Sequence, residues 1–184
     1  MKDGTRPESL PMEIDQRCQQ IELIIADVDG VLTDGSLVLD NQGIETKRFH
    51  IRDGMGIRVW QKAGYQFGVI THRSSQVVKI RMAELGVSIV RQGADDKLAA
   101  FQEILGEVGL TADKACYVGD DLLDLPAVRA AGLGVAVADA CGEMCREADF
   151  VTEGRGGSGA VRETIERILK AQRRWDALIQ PYLT

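Results

Sequence analysis

The stretch Ile21–Gly35, IELIIADVDGVLTDG, decides the fold. Its apolar run from Ile21 to Ala26 is too short for a core helix and rich in β-branched residues, so it reads as a strand buried on both faces. The run ends in Asp27 and Asp29, then Gly30, Thr33 and Asp34. Open α/β sheets place their chemistry at the carboxyl ends of strands, where this pair falls. A solvated turn also uses Asp and Gly. Two carboxylates beside an apolar strand, however, are costly unless a cation or hydrogen-bond donors meet them.

Strand and helix patterns alternate through the rest of the chain. Ser36–Asp40 and Ile44–Phe49 flank Asn41-Gln42-Gly43, the signature of a β-hairpin. Helices are expected over Gly54–Ala63, from Ser74 or Ser75 to Leu85, over Lys97–Val108 capped by Asp95 or Asp96, briefly around Pro126, and over Ala160–Trp175. Strands are expected at Tyr65–Ile70, Val87–Val90, Ala115–Val118, Leu133–Ala138 and Phe150–Thr152. The alternation predicts an α/β fold with a doubly wound, mostly parallel sheet. Residues 1–20 read as a loose leader with a helix allowed near its end, residues 21–175 as a single domain, and residues 176–184 as a tail.

A chain of 184 residues, 45% hydrophobic, is long enough to fill one core. Its net charge of −6 argues against nucleic acid or an anionic membrane as partner, though not against a small anion. No apolar run reaches transmembrane length and no signal peptide is evident, so a reducing cytoplasm is the expected location. Cys116 reads as a buried thiol, and the Cys141/Cys145 spacing is a weak metal signal. His50 and His72 lack a spaced metal partner; Trp60 and Trp175 read as packing residues, Arg81 and Arg91 as solvated.

A doubly wound sheet would gather the polar residues at its strand ends on one edge: Asp27 and Asp29, Thr71, Lys97, then Asp120, Asp121 and Asp124. Carboxylates ~4 Å apart repel by about 4 kcal/mol per pair at an effective dielectric near 20, so such a cluster calls for a cation. All-oxygen ligands select a hard ion, and Mg²⁺ characteristically takes one or two carboxylates plus substrate phosphate. Lys97 and Thr71 would add one positive charge and one hydroxyl to a phosphoryl cradle. A carboxylate in that setting is a competent nucleophile.

The series DVDGVLT, Thr71, Lys97 and GDDLLD resembles the four motifs of the haloacid dehalogenase superfamily of phosphohydrolases. That resemblance implies Asp27 as nucleophile and Asp29 as general acid/base. It implies Mg²⁺ held by Asp27, the backbone carbonyl of Asp29, and Asp120, with Asp121 and Asp124 in support. Within the superfamily, HIRDGMGI (His50–Ile57), ITHRSS (Ile70–Ser75), RQGADDK (Arg91–Lys97), VAVADA (Val135–Ala140) and GGSGAVRE (Gly156–Glu163) resemble the 3-deoxy-D-manno-octulosonate 8-phosphate phosphatase family.

Members of that family have no cap domain, and about 14 hairpin residues are too few to form one. Their hairpins join in a homotetramer, and a neighbouring subunit covers each active site. The resemblance places Arg73, Arg52, Asp53, Gly54, Lys97 and Arg162 against the sugar acid, Arg73 as a planar fork for its carboxylate. Asp53 also reads as a helix N-cap and Arg162 as a terminal-helix charge. Two positions depart from the family pattern. His72 stands where Gly is usual, and Ser158 stands where Arg or Lys is usual, with Arg155 just upstream as a candidate substitute. Two alternatives follow: a phosphatase of a nine-carbon sialic-type acid 9-phosphate, and a non-catalytic oligomerisation module. The intact Asp27, Asp29, Thr71, Lys97 and Asp120 weigh against the second.

Overall fold

The computed structural model describes residues 11–183; the first ten residues of the expected leader lie outside that range. In chain order the elements are α1 (Pro11–Gln20), β1 (Leu23–Ala26), β2 (Val38–Leu39), β3 (Glu45–Thr46), α2 (Ile51–Lys62), β4 (Gln66–Thr71), α3 (Gln76–Glu84) and β5 (Ile89–Gln92). There follow α4 (Lys97–Val108), β6 (Ala115–Gly119), α5 (Leu125–Ala130), β7 (Leu133–Ala136), α6 (Gly142–Glu147), β8 (Phe150–Val151), α7 (Ala160–Ala171) and α8 (Trp175–Ile179). Six strands pair in the order β5-β4-β1-β6-β7-β8, every pairing parallel. The α/β expectation holds. β1 lies at the centre, and the chain winds outward from it first through β4 and β5, then through β6, β7 and β8. The reversal puts the topological switch point beside the carboxyl end of β1.

β1 is buried on both faces because its side chains feed two cores. Ile24 and Ala26 pack with Ile14, Cys18, Trp60, Met82, Ile165, Ile168 and Trp175 beneath α1, α2, α3, α7 and α8. Leu23 and Ile25 pack with Phe101, Ile104, Tyr117, Val128 and Met144 beneath α4, α5 and α6. Strands in such a layer must be apolar throughout, the pattern of LIIA, and both tryptophans are packing residues as expected.

Several boundaries differ from the sequence expectation. The end of the leader is α1, which buries Ile14 and Cys18 in the core and so belongs to the domain. α2 begins at Ile51 rather than Gly54, carrying two glycines in its first turns. A Cβ on Gly56 would stand 3.2 Å from Arg162 Cα, so that glycine lets α2 lie close against α7. The terminal helix stops at Ala171, where Arg173 adopts a left-handed conformation (φ 57°), and α8 starts afresh at Trp175. Gly142–Glu147 forms a helix where none was expected.

The hairpin forms as expected, with Val38 opposite Thr46 and Leu39 opposite Glu45. Asp40 sets its turn by accepting from the backbone N–H groups of Gln42 and Ile44, both at 2.8 Å. Its strands are two residues each, and Leu37, Val38, Leu39 and Ile44 are all more than half exposed.

Candidate active site

β1 delivers Asp27 to the switch point, its backbone N–H tied to Val118 O at 2.9 Å. The chain then turns in a tight loop in which Val28 O accepts from the N–H groups of Leu32 and Thr33, both at 3.0 Å. Asp27 Oδ1 accepts from Val28 N at 2.7 Å, and Asp27 Oδ2 pairs with Lys97 Nζ at 2.9 Å. Gly30 (φ 96°) is obligatory here: a Cβ on it would fall 2.1 Å from an Asp120 carboxylate oxygen. The glycine-rich loop buttresses the turn from behind, with Gly157 N donating to Val31 O at 2.9 Å. A Cβ on Gly156 would overlap Gly30 O at 1.7 Å.

Lys97, the first residue of α4, is 4% exposed and reaches under the cluster to Asp124 Oδ1 at 2.7 Å as well as to Asp27. Asp124 is fully buried; it also accepts from Tyr117 Oη at 2.9 Å and from the backbone N–H of Asp120 at 3.2 Å. The sequence reading left Asp121 and Asp124 unranked. Asp121 is exposed and caps its own turn through Leu122 N at 2.8 Å, so Asp124 is the one built into the cluster. Thr71 is buried at the end of β4, its hydroxyl accepting from Arg73 N at 3.3 Å.

Asp27, Asp120 and Asp124 each offer a carboxylate oxygen, all within 4.8 Å of one another. Crowding has the expected electrostatic result. Burial first, then the Asp124 charge, pushes the Asp27 carboxyl up to about 7 against the pull of Lys97. Burial, then Asp27 and Asp124, pushes Asp120 to about 8. Burial also works against the Lys97 ammonium, but Asp27 and Asp124 outweigh it and its pKa is raised. One lysine therefore does not neutralise the group, and Asp120 Oδ1 is buried without a hydrogen-bond partner. An all-oxygen donor set short of positive charge fits a hard divalent cation.

The Asp29 carboxylate lies outside this triad. Its Oδ1 is held by the Lys47 ammonium, and its Oδ2 is 3.9 Å from Arg73 Nε. The other substrate residues inferred from resemblance are placed differently. Asp53 is buried and accepts from Arg162 N at 2.8 Å and Gly159 N at 3.3 Å, pinning the start of α7 to α2. Gly54 packs on the Arg81 guanidinium, which is therefore not solvated as expected but sits 5.9 Å from the Phe49 ring centroid. Arg162 pairs with Glu166 at 2.7 Å and stacks on Trp175, and Arg52 is exposed. Among the described residues, Arg52, Asp53, Gly54 and Arg162 make no hydrogen bond to the acidic cluster or to Asp29.

Sequence reasoning missed Glu45, Lys47, Ser75 and Tyr117. A lysine and a glutamate on an exposed hairpin read as solvated, and a tyrosine inside an apolar strand reads as core. Only the fold brings them to the cleft.

The chain matches the model of the haloacid dehalogenase-like hydrolase family over residues 87–163. It is 42% identical over 160 residues to the 3-deoxy-D-manno-octulosonate 8-phosphate phosphatase KdsC of Escherichia coli K12, covering 87% of this chain and 85% of that one. The chain belongs to the 3-deoxy-D-manno-octulosonate 8-phosphate phosphatase family. The Moraxella catarrhalis enzyme, crystallised with magnesium, phosphate and the sugar acid, superposes with a TM-score of 0.92 at 42% identity over 94% of this chain and 99% of that one. The cobalt-bound Haemophilus influenzae phosphatase superposes at 0.88, with 39% identity over 92% and 100% of the two chains. The protein is thus a phosphatase of the haloacid dehalogenase superfamily with a divalent-metal site.

Proposed function

We propose that this phosphatase hydrolyses 3-deoxy-D-manno-octulosonate 8-phosphate to the free sugar acid and phosphate, with Asp27 as nucleophile. The observation that carries the reading is the Asp27 carboxylate, fixed by Val28 N and Lys97 in an acidic triad with a second aspartate two residues on. Asp27 attacks phosphorus, the bond to the sugar oxygen breaks, and Asp29 gives that oxygen a proton. Asp29 then takes a proton from water as the water attacks the aspartyl phosphate, releasing phosphate and restoring Asp27. Lys97 anchors Asp27 and supplies charge to the phosphoryl oxygens, while Thr71 supplies a hydroxyl donor. Asp27, Asp120 and the Asp29 carbonyl would hold Mg²⁺, which would supply positive charge against the carboxylates and the phosphoryl group. Asp124 orients Lys97.

Arg73, 44% exposed at the side chain, is the fork offered to the sugar carboxylate. Arg155 opens the loop that packs on the Gly30 turn, which supports it as the replacement for the basic residue absent at position 158. The exposed apolar residues of the hairpin, Leu37, Val38, Leu39 and Ile44, support a homotetramer in which each hairpin seats on a neighbouring subunit. No helix among the described residues is long and apolar enough to cross a membrane, and a cytoplasmic location accords with the four free cysteines.

Phosphate release with Mg²⁺ from three substrates tests the assignment: the octulosonate 8-phosphate, a nine-carbon sugar-acid 9-phosphate, and a generic phosphate ester. A preference of about a hundredfold or more for the first, roughly 2.7 kcal/mol in transition-state binding, is expected. Preference for the nine-carbon acid would transfer the enzyme to that substrate.

A further inference from the structure

The returning strand of the hairpin is fastened to the cleft by Glu45 and Lys47, which lie outside the four motifs. Glu45, on β3, lies at the centre of the fastening. Its Oε1 accepts from Arg73 Nη2 at 2.9 Å and pairs with Lys47 Nζ at 3.2 Å, while its Oε2 accepts from the Ser75 hydroxyl. Ser75 holds the N-cap position of α3 but makes no side-chain cap bond, because its hydroxyl is given to Glu45. Lys47 then passes from Glu45 to Asp29.

Solvation alone does not explain this arrangement. A lysine on a two-stranded hairpin has water available at little cost, yet the Lys47 side chain is 1% exposed. Burying an ammonium and fixing four rotatable bonds is unfavourable unless opposite charge compensates. Two carboxylates from different elements supply it, one on the hairpin and one on the catalytic loop. The Ser75 hydrogen bond, helped by Arg73 and Lys47 against burial, holds the Glu45 carboxyl down at about 2, so it is ionised wherever the enzyme works.

Geometry also limits what Arg73 can do. A free arginine on a strand-end loop samples many rotamers, and binding a carboxylate through a planar fork requires one of them. Glu45 takes a single Nη2 donor, Nε stands 3.9 Å from Asp29 Oδ2, and Nη1 is left for a ligand on a side chain still 44% exposed.

We propose that Glu45 is a positioning residue for substrate selectivity: it clamps the hairpin to the cleft and aims Arg73 at the carboxylate end of the sugar acid, with Lys47 carrying the same clamp to Asp29. The inference rests on the assignment of Arg73 to that carboxylate. It gives the hairpin two jobs, its charged residues ordering the cleft of its own chain and its exposed apolar residues left free for a neighbour.

A double-mutant cycle on the full-length enzyme tests it, with kcat and KM measured on the octulosonate 8-phosphate and on a phosphate ester lacking a carboxylate. Glu45→Ala is expected to raise KM for the sugar acid tenfold or more, with kcat falling less than KM rises. Its loss in kcat/KM on the sugar acid should exceed that on the carboxylate-free ester at least tenfold. In an Arg73→Ala background the same change should add under twofold to KM, because its effect runs through Arg73. Glu45→Gln, which keeps the shape and an acceptor for Ser75, should fall between wild type and Glu45→Ala, and it carries the test if the alanine variant does not fold. Equal losses on the two substrates, or full additivity with Arg73→Ala, would overturn the inference while leaving the phosphatase reading intact. A wild-type enzyme with no preference for the sugar acid would overturn both.

Discussion

Asp124 and Tyr117 illustrate how a buried polar network sets the position of a buried lysine. Tyr117 Oη and Lys97 Nζ share the same Asp124 oxygen, inside a layer otherwise made of Phe101, Ile25 and Val128. Tyr117→Phe removes one donor from a fully buried carboxylate while keeping the ring that stacks edge-on against Phe101 at 5.7 Å. Urea unfolding should register a loss of about 1–3 kcal/mol, and an unchanged midpoint would show that the hydroxyl is dispensable. The acidic cluster has a consequence of its own in pH. The folded-state carboxyls of Asp27 and Asp120 stand at about 7 and about 8, above their ordinary value of 3.8. Raised acids stabilise the fold below the unfolded pKa, and that contribution is lost as pH rises through the folded values. The metal-free protein should therefore lose thermal stability between about pH 4 and pH 8 through these groups. Added Mg²⁺ should raise Tm more at pH 8 than at pH 6, because binding at the lower pH must first expel protons. A Mg²⁺ shift independent of pH would contradict this placement of the ion.

Among the elements, the glycine-rich loop before α7 shows how a remote segment can fix the first motif. Gly156 lies so close to the Gly30 carbonyl that any side chain there must push the Asp27–Asp29 turn away. Gly156→Ala should cost about 1–3 kcal/mol in stability, the range for forced overpacking, and lower kcat at least tenfold. Wild-type kinetics in that variant would mean that the loop does not support the turn. The legibility of each element in the sequence followed the origin of its signal. β1, β4, β6 and β7 are apolar runs whose burial on both faces is set by local composition, and all were evident. The start of α2 was not, because Gly54 and Gly56 look like a helix boundary and are tolerated only through packing on Arg81 and Arg162. Ser75 reads as an N-cap from its neighbours alone, but its hydroxyl bonds to a residue 30 positions away. Asp27, Asp29, Thr71, Lys97 and Asp120 stood out by their order along the chain. Glu45 and Lys47 carry no comparable local mark, since a charge on a hairpin is usually solvated.

The chain as a whole is a three-layer sandwich with its acidic cleft at the switch point and a hairpin that carries both engaged ionic residues and exposed apolar ones. Glu45 and Lys47 are ionic and engaged, while Leu37, Val38, Leu39 and Ile44 are exposed together. Large apolar side chains clustered on a two-stranded ribbon are a liability for a monomer and suit an assembly. If the proposed homotetramer forms through these side chains, Leu37→Asp combined with Ile44→Asp should reduce it to smaller species in light scattering at micromolar concentration. A tetramer unaffected by both changes would place the interface elsewhere. The proposed hydrolysis requires Asp27 to form a bond to phosphorus. The direct test is phosphate release from 3-deoxy-D-manno-octulosonate 8-phosphate with Mg²⁺, comparing wild type with Asp27→Asn under the same conditions. The expected result is a loss of at least about a thousandfold in kcat, ~4 kcal/mol of barrier, in a variant that still folds. An Asp27→Asn enzyme working within tenfold of wild type would contradict the mechanism.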